Sequence, residues 1–199
     1  MNMPLMAVSP LANLETTFVP EAVTVLPNLF SQRFRRPLRD DVELSYDLSV
    51  DRARRPLMQR MDDEGLQGSE LFLEREIHEL WERHRLVGML AIDASMQSMT
   101  GTYDVIVNLC GVYLIPALRG AGIGEALAMR VGMEISQSII QQLEYARSWG
   151  KSIRVFVDGD QQTYEGERFF QQLVAPISDV ADEASGAGVP FLLKVNDSY

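Results

Sequence analysis

From Val42 onward the chain reads as a succession of regular elements. Val42, Leu44, Tyr46 and Leu48 alternate with polar residues, the period of a half-buried strand. Asp51 is placed to cap a helix running to about residue 63, which Gly65 and Gly68 interrupt. Ser69 opens a second predicted helix. Glu70 and Glu74 suit its positive N-terminal end, and Leu71, Leu73, Ile77, Leu80 and Trp81 form its apolar stripe. Residues 86–92 and 103–107 read as strands, with 96–101 as their connection. Residues 109–115 form an apolar run that ends at Pro116, the signature of a buried strand. A long helix is expected from about 122 to 149, with Leu127, Val131, Ile135, Ile139, Leu143 and Ala146 repeating at threes and fours, and Gly150 ends it. Residues 153–157 are another buried strand and 164–173 a short helix. A final strand pair, 174–180 and 191–195, is expected around the turn holding Gly186 and Gly188. The fold class is therefore mixed α/β.

Residues 1–41 follow a different pattern. Pro4, Pro10, Pro20, Pro27 and Pro37 interrupt every candidate helix, yet Leu5, Met6, Leu11, Phe18, Val19, Val25, Leu26, Leu29 and Phe30 are too apolar for a solvated tail. This predicts an extended arm over 1–41 that packs on its own domain or on a partner, followed by one domain over 42–199. Arg33, Arg35, Arg36 and Arg39 cluster beside Asp40 and Asp41. They read as a locally neutralised, solvated segment, because a nucleic-acid patch calls for more positive charge and a stacking aromatic.

Composition narrows the function classes. The 199 residues are 46% hydrophobic and 23% charged, which excludes collagen-like, coiled-coil and wholly disordered chains. No apolar run approaches the ~20 residues that span a bilayer, and residues 1–10 lack the basic start of a signal peptide. Cys110 is the one cysteine and there are two histidines, so neither an internal disulfide nor an ordinary structural zinc site is expected. A cytoplasmic setting fits. The net charge of −10 repels phosphate backbones and anionic lipid, so neither nucleic acid nor membrane is an expected partner, and it favours a cationic amine such as a polyamine, an aminoglycoside or a basic peptide.

The candidate chemistry lies in Val112-Tyr113-Leu114-Ile115-Pro116-Ala117-Leu118-Arg119-Gly120-Ala121-Gly122-Ile123-Gly124-Glu125. A buried strand reaches a proline, which lets the chain leave the sheet. A turn with Gly120, Gly122 and Gly124 follows, and a helix begins at once. Free N–H groups and the helix dipole then face the turn, an arrangement that binds a pyrophosphate, and Arg119 adds a charged donor. A Walker A loop is excluded by the missing lysine, and a dinucleotide fingerprint wants glycine where Glu125 stands.

This segment resembles the acetyl-CoA-binding motif of the GNAT superfamily, the Gcn5-related N-acetyltransferases. That motif is Arg/Gln-x-x-Gly-x-Gly/Ala, met here by Arg119, Gly122 and Gly124, and the element order from Val42 to Val195 is similar to the family's mixed sheet. The resemblance implies a mostly antiparallel sheet, flanked by helices and splayed where acetyl-CoA binds. Backbone groups of Tyr113, Leu114 and Ile115 would pair with the pantetheine arm and polarise the thioester. The backbone from Arg119 through Gly120, Ala121, Gly122, Ile123 and Gly124 to Glu125 would hold the pyrophosphate. The activity implied is direct attack of an amine on the thioester, with no metal, using acetyl-CoA as co-substrate.

Departures from the family pattern are visible. Phe170 stands where the family often places a tyrosine acid, so Tyr164 is the remaining candidate for that role. Asn108 and Cys110 occupy positions where a glutamate base is often found, leaving Asp104, Asp158 and Asp160 as carboxylates near strand ends. His78 and His84, six apart on the expected helix, share no face for a metal. The helix after the turn is longer than usual by the stretch 136–142, which with the arm offers a brace or a homodimer surface. The expectation is an N-acetyltransferase for a small-molecule amine or peptide. The alternative is a catalytically inactive binding or regulatory module on the same fold.

Overall fold

The computed structural model describes residues 21–25, 35–39, 41–46, 48–49, 51–74, 77–161 and 163–198. Among the described residues eight strands and five α-helices stand in chain order: β1 (Glu21–Val25), β2 (Arg36–Arg39), β3 (Val42–Tyr46), α1 (Asp51–Asp63), α2 (Leu71–Glu74), β4 (Ile77–Glu82), β5 (Arg85–Met99), β6 (Thr102–Leu114), α3 (Ile123–Ser148), β7 (Ser152–Asp160), α4 (Tyr164–Ser178), α5 (Val180–Ala187) and β8 (Phe191–Ser198). One sheet runs β2-β3-β4-β5-β6-β7-β8, and β1 pairs with the far half of β5. Pairing is antiparallel from β2 to β6, and parallel from β6 to β7 and from β7 to β8. It is the mixed, mostly antiparallel sheet flanked by helices that the family resemblance implies. Two pieces of the expected arm, β1 and β2, are strands of this sheet, and apart from Arg35 and Asp41 beside β2 the rest of it lies outside the described residues.

Several elements differ from the expected ones. The stretch expected as one helix from Ser69 holds only the short α2, and Ile77 to Glu82 is strand β4. All of Ile77, His78, Glu79, Leu80 and Trp81 are buried, so the strand is covered on both faces and loses the alternation that would have marked it. His78 therefore stands on a strand, and His84 in the turn that follows. The segments 86–92 and 96–99 belong to one long β5, while 103–107 and 109–115 fall mainly within one long β6 that ends at Leu114; Thr100 and Gly101, the latter at φ +79°, turn one into the other. Residues 174–180 are helical, because Leu173, Ile177, Val180 and Ala184 make a buried stripe at helical spacing. The final strand is thus β8 alone, reached by a helical crossover and lying parallel to β7.

The core runs through β4, β5, β6, α3 and β7. Leu127, Val131, Ile135 and Ile139 of α3 are fully buried, as are Val155 of β7 and Leu90 of β5. Burying one such side chain contributes roughly 1.5–3 kcal/mol. α3 also reaches β2, where Arg36 Nη2 lies 2.7 Å from Glu134 Oε1.

His78 is sealed in this core at 1% exposure, with the Tyr46 ring 5.3 Å away. Burial, and then the positive charge of Arg36, lowers its pKa from 6.5 to about 3. Between those values the unfolded chain binds a proton that the folded chain refuses. Stability is therefore expected to hold above pH 6.5 and to fall as the pH drops below it, by about 1 kcal/mol per unit. Urea midpoints at pH 7.5 and 5.5 test this. The wild type should lose stability over that interval and a His78→Leu variant much less, and equal slopes would count against it.

Candidate functional site

β6 and β7 stay paired only from Thr102↔Ser152 to Leu109↔Gly159. At the next residue β6 carries a bulge. Ala91 of β5 pairs with Gly111 and Ile92 with Leu109, so Cys110 is the extra residue. Beyond it β6 pairs only with β5, and β7 ends at Asp160. The parting of the two strands leaves the edge of residues 110–114 open, and a cavity of about 600 Å³ fills the gap. Its walls come from the α1–α2 connection, the end of β6, the glycine-rich turn, and the segment from the end of β7 into α4.

The turn is built as its sequence suggests. Pro116 opens a single 3-10 turn, and Arg119 leaves it in extended conformation. Gly120 and Gly122 then sit at φ +76° and +75°, where a side chain would be strained. An added Cβ on Gly122 would also displace the Arg39 guanidinium of β2, which lies close over the turn. Gly122 is the N-cap of the 26-residue α3 and brings no side-chain cap. The first intrahelical bond runs from Ala126 N to Gly122 O at 3.0 Å. The N–H groups of Ile123, Gly124 and Glu125 are therefore the first-turn donors without an intrahelical acceptor.

Of the sequence-derived residues, Tyr113, Leu114, Arg119, Gly120, Gly122, Gly124 and Glu125 line the cavity. Ile115 and Ile123 are buried behind it, and Ala121 is exposed on the turn's outer side. Tyr164, the first residue of α4, is 66% exposed and is not a lining residue. Phe170 is fully buried, with its ring against Gly159. Asp160 lines the cavity; Asp104 is paired with Arg154 at 2.5 Å on the far half of the sheet, and Asp158 accepts Asn196 Nδ2 at 2.8 Å.

The structure adds a carboxylate that the sequence pattern missed. Glu64, just after α1, accepts the Tyr113 hydroxyl at 2.7 Å and Arg119 Nη2 at 2.5 Å. The Arg119 guanidinium stands 5.4 Å from the Tyr113 ring centre, and its Nε donates to the Leu114 carbonyl at 2.8 Å. The Tyr113 hydrogen bond, helped by Arg119, holds the Glu64 carboxyl below its ordinary range. Burial and the same carboxylate push the Tyr113 hydroxyl up to about 12. Tyr113 is thus a protonated hydrogen-bond donor at neutral pH and a weak acid. One carbonyl of the expected backbone ladder, that of Leu114, is already engaged. Gln161 was also missed, and it lines the cavity from the β7 side. Among the described residues no group of three or more His, Cys, Asp or Glu side chains is placed to hold a metal, and no helix is long and apolar enough to cross a membrane.

No family model matches the sequence, and no curated protein matches it. Among solved structures, a ribosomal-protein-alanine N-acetyltransferase from Brucella melitensis biovar Abortus is similar at 17% identity and a TM-score of 0.39, over 66% of this chain and 90% of that one. An aminoglycoside acetyltransferase from an uncultured soil metagenomic sample, in complex with sisomicin, is similar at 12% identity and a TM-score of 0.35, over 67% of this chain and 87% of that one. A tyrosine-to-phenylalanine mutant of the AtaT toxin, bound to the C-terminus of the antitoxin AtaR and to acetyl-CoA, is similar at 13% identity and a TM-score of 0.31, over 67% of this chain and 84% of that one. These likenesses are of fold alone.

Proposed function

We propose that the chain binds acetyl-CoA in the parting of β6 and β7 and transfers its acetyl group to a primary amine. The observation that carries this reading is the open edge of residues 110–114, running straight into an uncapped helix N-terminus through a glycine turn. An extended arm bearing amides completes such an edge as an added strand would. A diphosphate suits the first-turn N–H groups of α3, with Arg119 and Arg39 as nearby cations.

In the reaction the amine nitrogen attacks the thioester carbonyl carbon, the C–S bond breaks, and the proton shed by the amine ends on the leaving thiolate. Backbone N–H groups beside the bulge would stabilise charge on the carbonyl oxygen. Glu64, Glu125, Asp160 and Glu165 line the cavity, which favours a cationic acceptor. Glu64, held ionised by its two donors, suits anchoring a cation better than taking a proton.

A binding-only module is the second reading. It is favoured by Tyr164 standing in solvent and by Phe170 filling the space beside Gly159. Turnover with any member of an amine panel would remove it.

Calorimetric titration with acetyl-CoA and CoA tests the main reading. Wild-type protein is expected to bind both in the micromolar range. An Arg119→Glu variant should bind ten- to a hundredfold more weakly, since a charge-assisted contact worth about 1.5–3 kcal/mol is replaced by repulsion. Equal affinities would remove Arg119 from the site, and no binding by the wild type at millimolar ligand would overturn the reading.

A further inference from the structure

The Ile115 amide donates to the Val87 carbonyl at 3.0 Å, and Leu114 stands opposite Gly88. Successive residues of an antiparallel strand turn their backbone groups to opposite edges, so those of Leu114 face away from β5, on the open edge of β6. Its carbonyl does not stand free there. Arg119 Nε donates to it at 2.8 Å, and Nη2 of the same guanidinium reaches Glu64 at 2.5 Å. The Arg119 side chain therefore spans from the end of β6 to the wall that follows α1. The Tyr113 hydroxyl fixes Glu64 in turn, at 2.7 Å.

Nε and Nη2 are neighbouring donors of the guanidinium fork, a pair suited to gripping an oxyanion through two parallel bonds. Both are spent within the chain. Among the described residues that line the cavity the cations are Arg119 and Arg168, against the carboxylates of Glu64, Glu125, Asp160 and Glu165. Glu64 thus neutralises one of the two positive charges that an anionic ligand would meet. An extended ligand along β6 would also use the Leu114 carbonyl as an acceptor. One side chain in one position withholds both contacts. The pair is held loosely enough to open: the side chains are 42% and 27% exposed, so parting them strands no buried charge.

We propose, on the acetyl-CoA reading of the cavity, that the Glu64–Arg119 pair is an autoinhibitory contact that holds Arg119 across the end of the open β6 edge. The thioester carrier enters as Arg119 leaves Glu64 and the Leu114 carbonyl. Glu64 competes with the carrier's phosphates for the guanidinium, and so lowers the affinity of the cleft without closing it.

The test titrates CoA by calorimetry into four forms of the full chain: wild type, Glu64→Gln, Arg119→Gln and the double variant. Glu64→Gln keeps an acceptor for the Tyr113 hydroxyl and removes the charge. It is expected to bind CoA about three- to fivefold more tightly than the wild type, equivalent to about 0.7–1 kcal/mol. In the Arg119→Gln background the same change should alter affinity by less than about twofold, because no pair remains to break. Unchanged or weakened binding by Glu64→Gln would make Glu64 a residue that orients Arg119 for the ligand, and would overturn the autoinhibitory contact. Equal tightening in both backgrounds would reduce the effect to the loss of one negative charge from the cavity, and would overturn it too. In both cases CoA binding by the wild type leaves the acetyl-CoA reading standing. No binding by any of the four forms at millimolar CoA would overturn that reading and the autoinhibitory contact with it.

Discussion

Replacing Glu79 by alanine is expected to destabilise the protein by about 3–5 kcal/mol, read as a lower urea midpoint. Glu79 is fully buried in β4, and its carboxylate gathers donors from three separate pieces of chain. Arg54 Nη2 reaches it at 3.2 Å, the Ser49 amide at 2.9 Å, the Leu48 amide at 3.2 Å, Ser45 Oγ at 3.2 Å and Trp81 Nε1 at 3.2 Å. The Ser49 hydroxyl also donates to it. Arg54, itself 3% exposed, also donates to the Phe72 carbonyl at 3.3 Å, so the network ties α1 and α2 to the sheet. Truncating the carboxylate strands a buried guanidinium and two loop amides. A Glu79→Leu, Arg54→Leu double variant should recover much of the loss, because removing both charges also removes their desolvation cost. If the single variant melts with the wild type, the network is not holding that corner together.

Gly132→Ala is expected to cost about 1–3 kcal/mol, although alanine is the better helix former. At this point α3 and α4 touch through their backbones. A Cβ on Gly132 would sit 2.4 Å from the Leu173 carbonyl oxygen and 3.3 Å from Pro176 Cδ. Backbone cannot rotate aside as a side chain can, so the helices must part and reopen packing around Leu173 and Ile177. The same substitution at Gly186 in α5 meets nothing within 4 Å and should stabilise by about 0.4–1 kcal/mol. Opposite signs for one chemical change in two helices, read by thermal unfolding, isolate the contact from the propensity. A stabilised Gly132→Ala would show that α3 and α4 are further apart than described.

The sequence made some parts of this molecule plain. α3 was readable because 26 residues with one apolar stripe leave no competing period, and the glycine turn was readable because positive φ at Gly120 and Gly122 asks for that residue. Other parts carried misleading signals. Ile77, Leu80 and Trp81 satisfy a helical spacing as well as a strand buried on both faces, and only pairing with β3 and β5 decides. Residues 174–180 are rich in β-branched side chains and include Pro176, yet contact with α3 holds them helical. The bulge at Cys110 leaves no mark in composition, since it exists only relative to β5. Glu64 and Gln161 were missed for a related reason. Glu64 meets Tyr113 across 49 residues of sequence and Arg119 across 55, and no local pattern announces such a meeting.

The change of strand direction at β6 has a bearing on how the molecule assembles. β5 and β6 close through a two-residue turn, so their ladder forms at small entropic cost, whereas β7 joins β6 only after the whole of α3 has intervened, and β8 joins β7 only after α4 and α5. The β5–β6 hairpin is thus a local contact and the β6–β7 ladder a long-range one. The cavity lies on the seam between them. A chain that has closed only this hairpin possesses one lip of the cleft and not the other, so a molecule bound in the cleft would clamp the long-range joint between β6 and β7 and stabilise it by mass action.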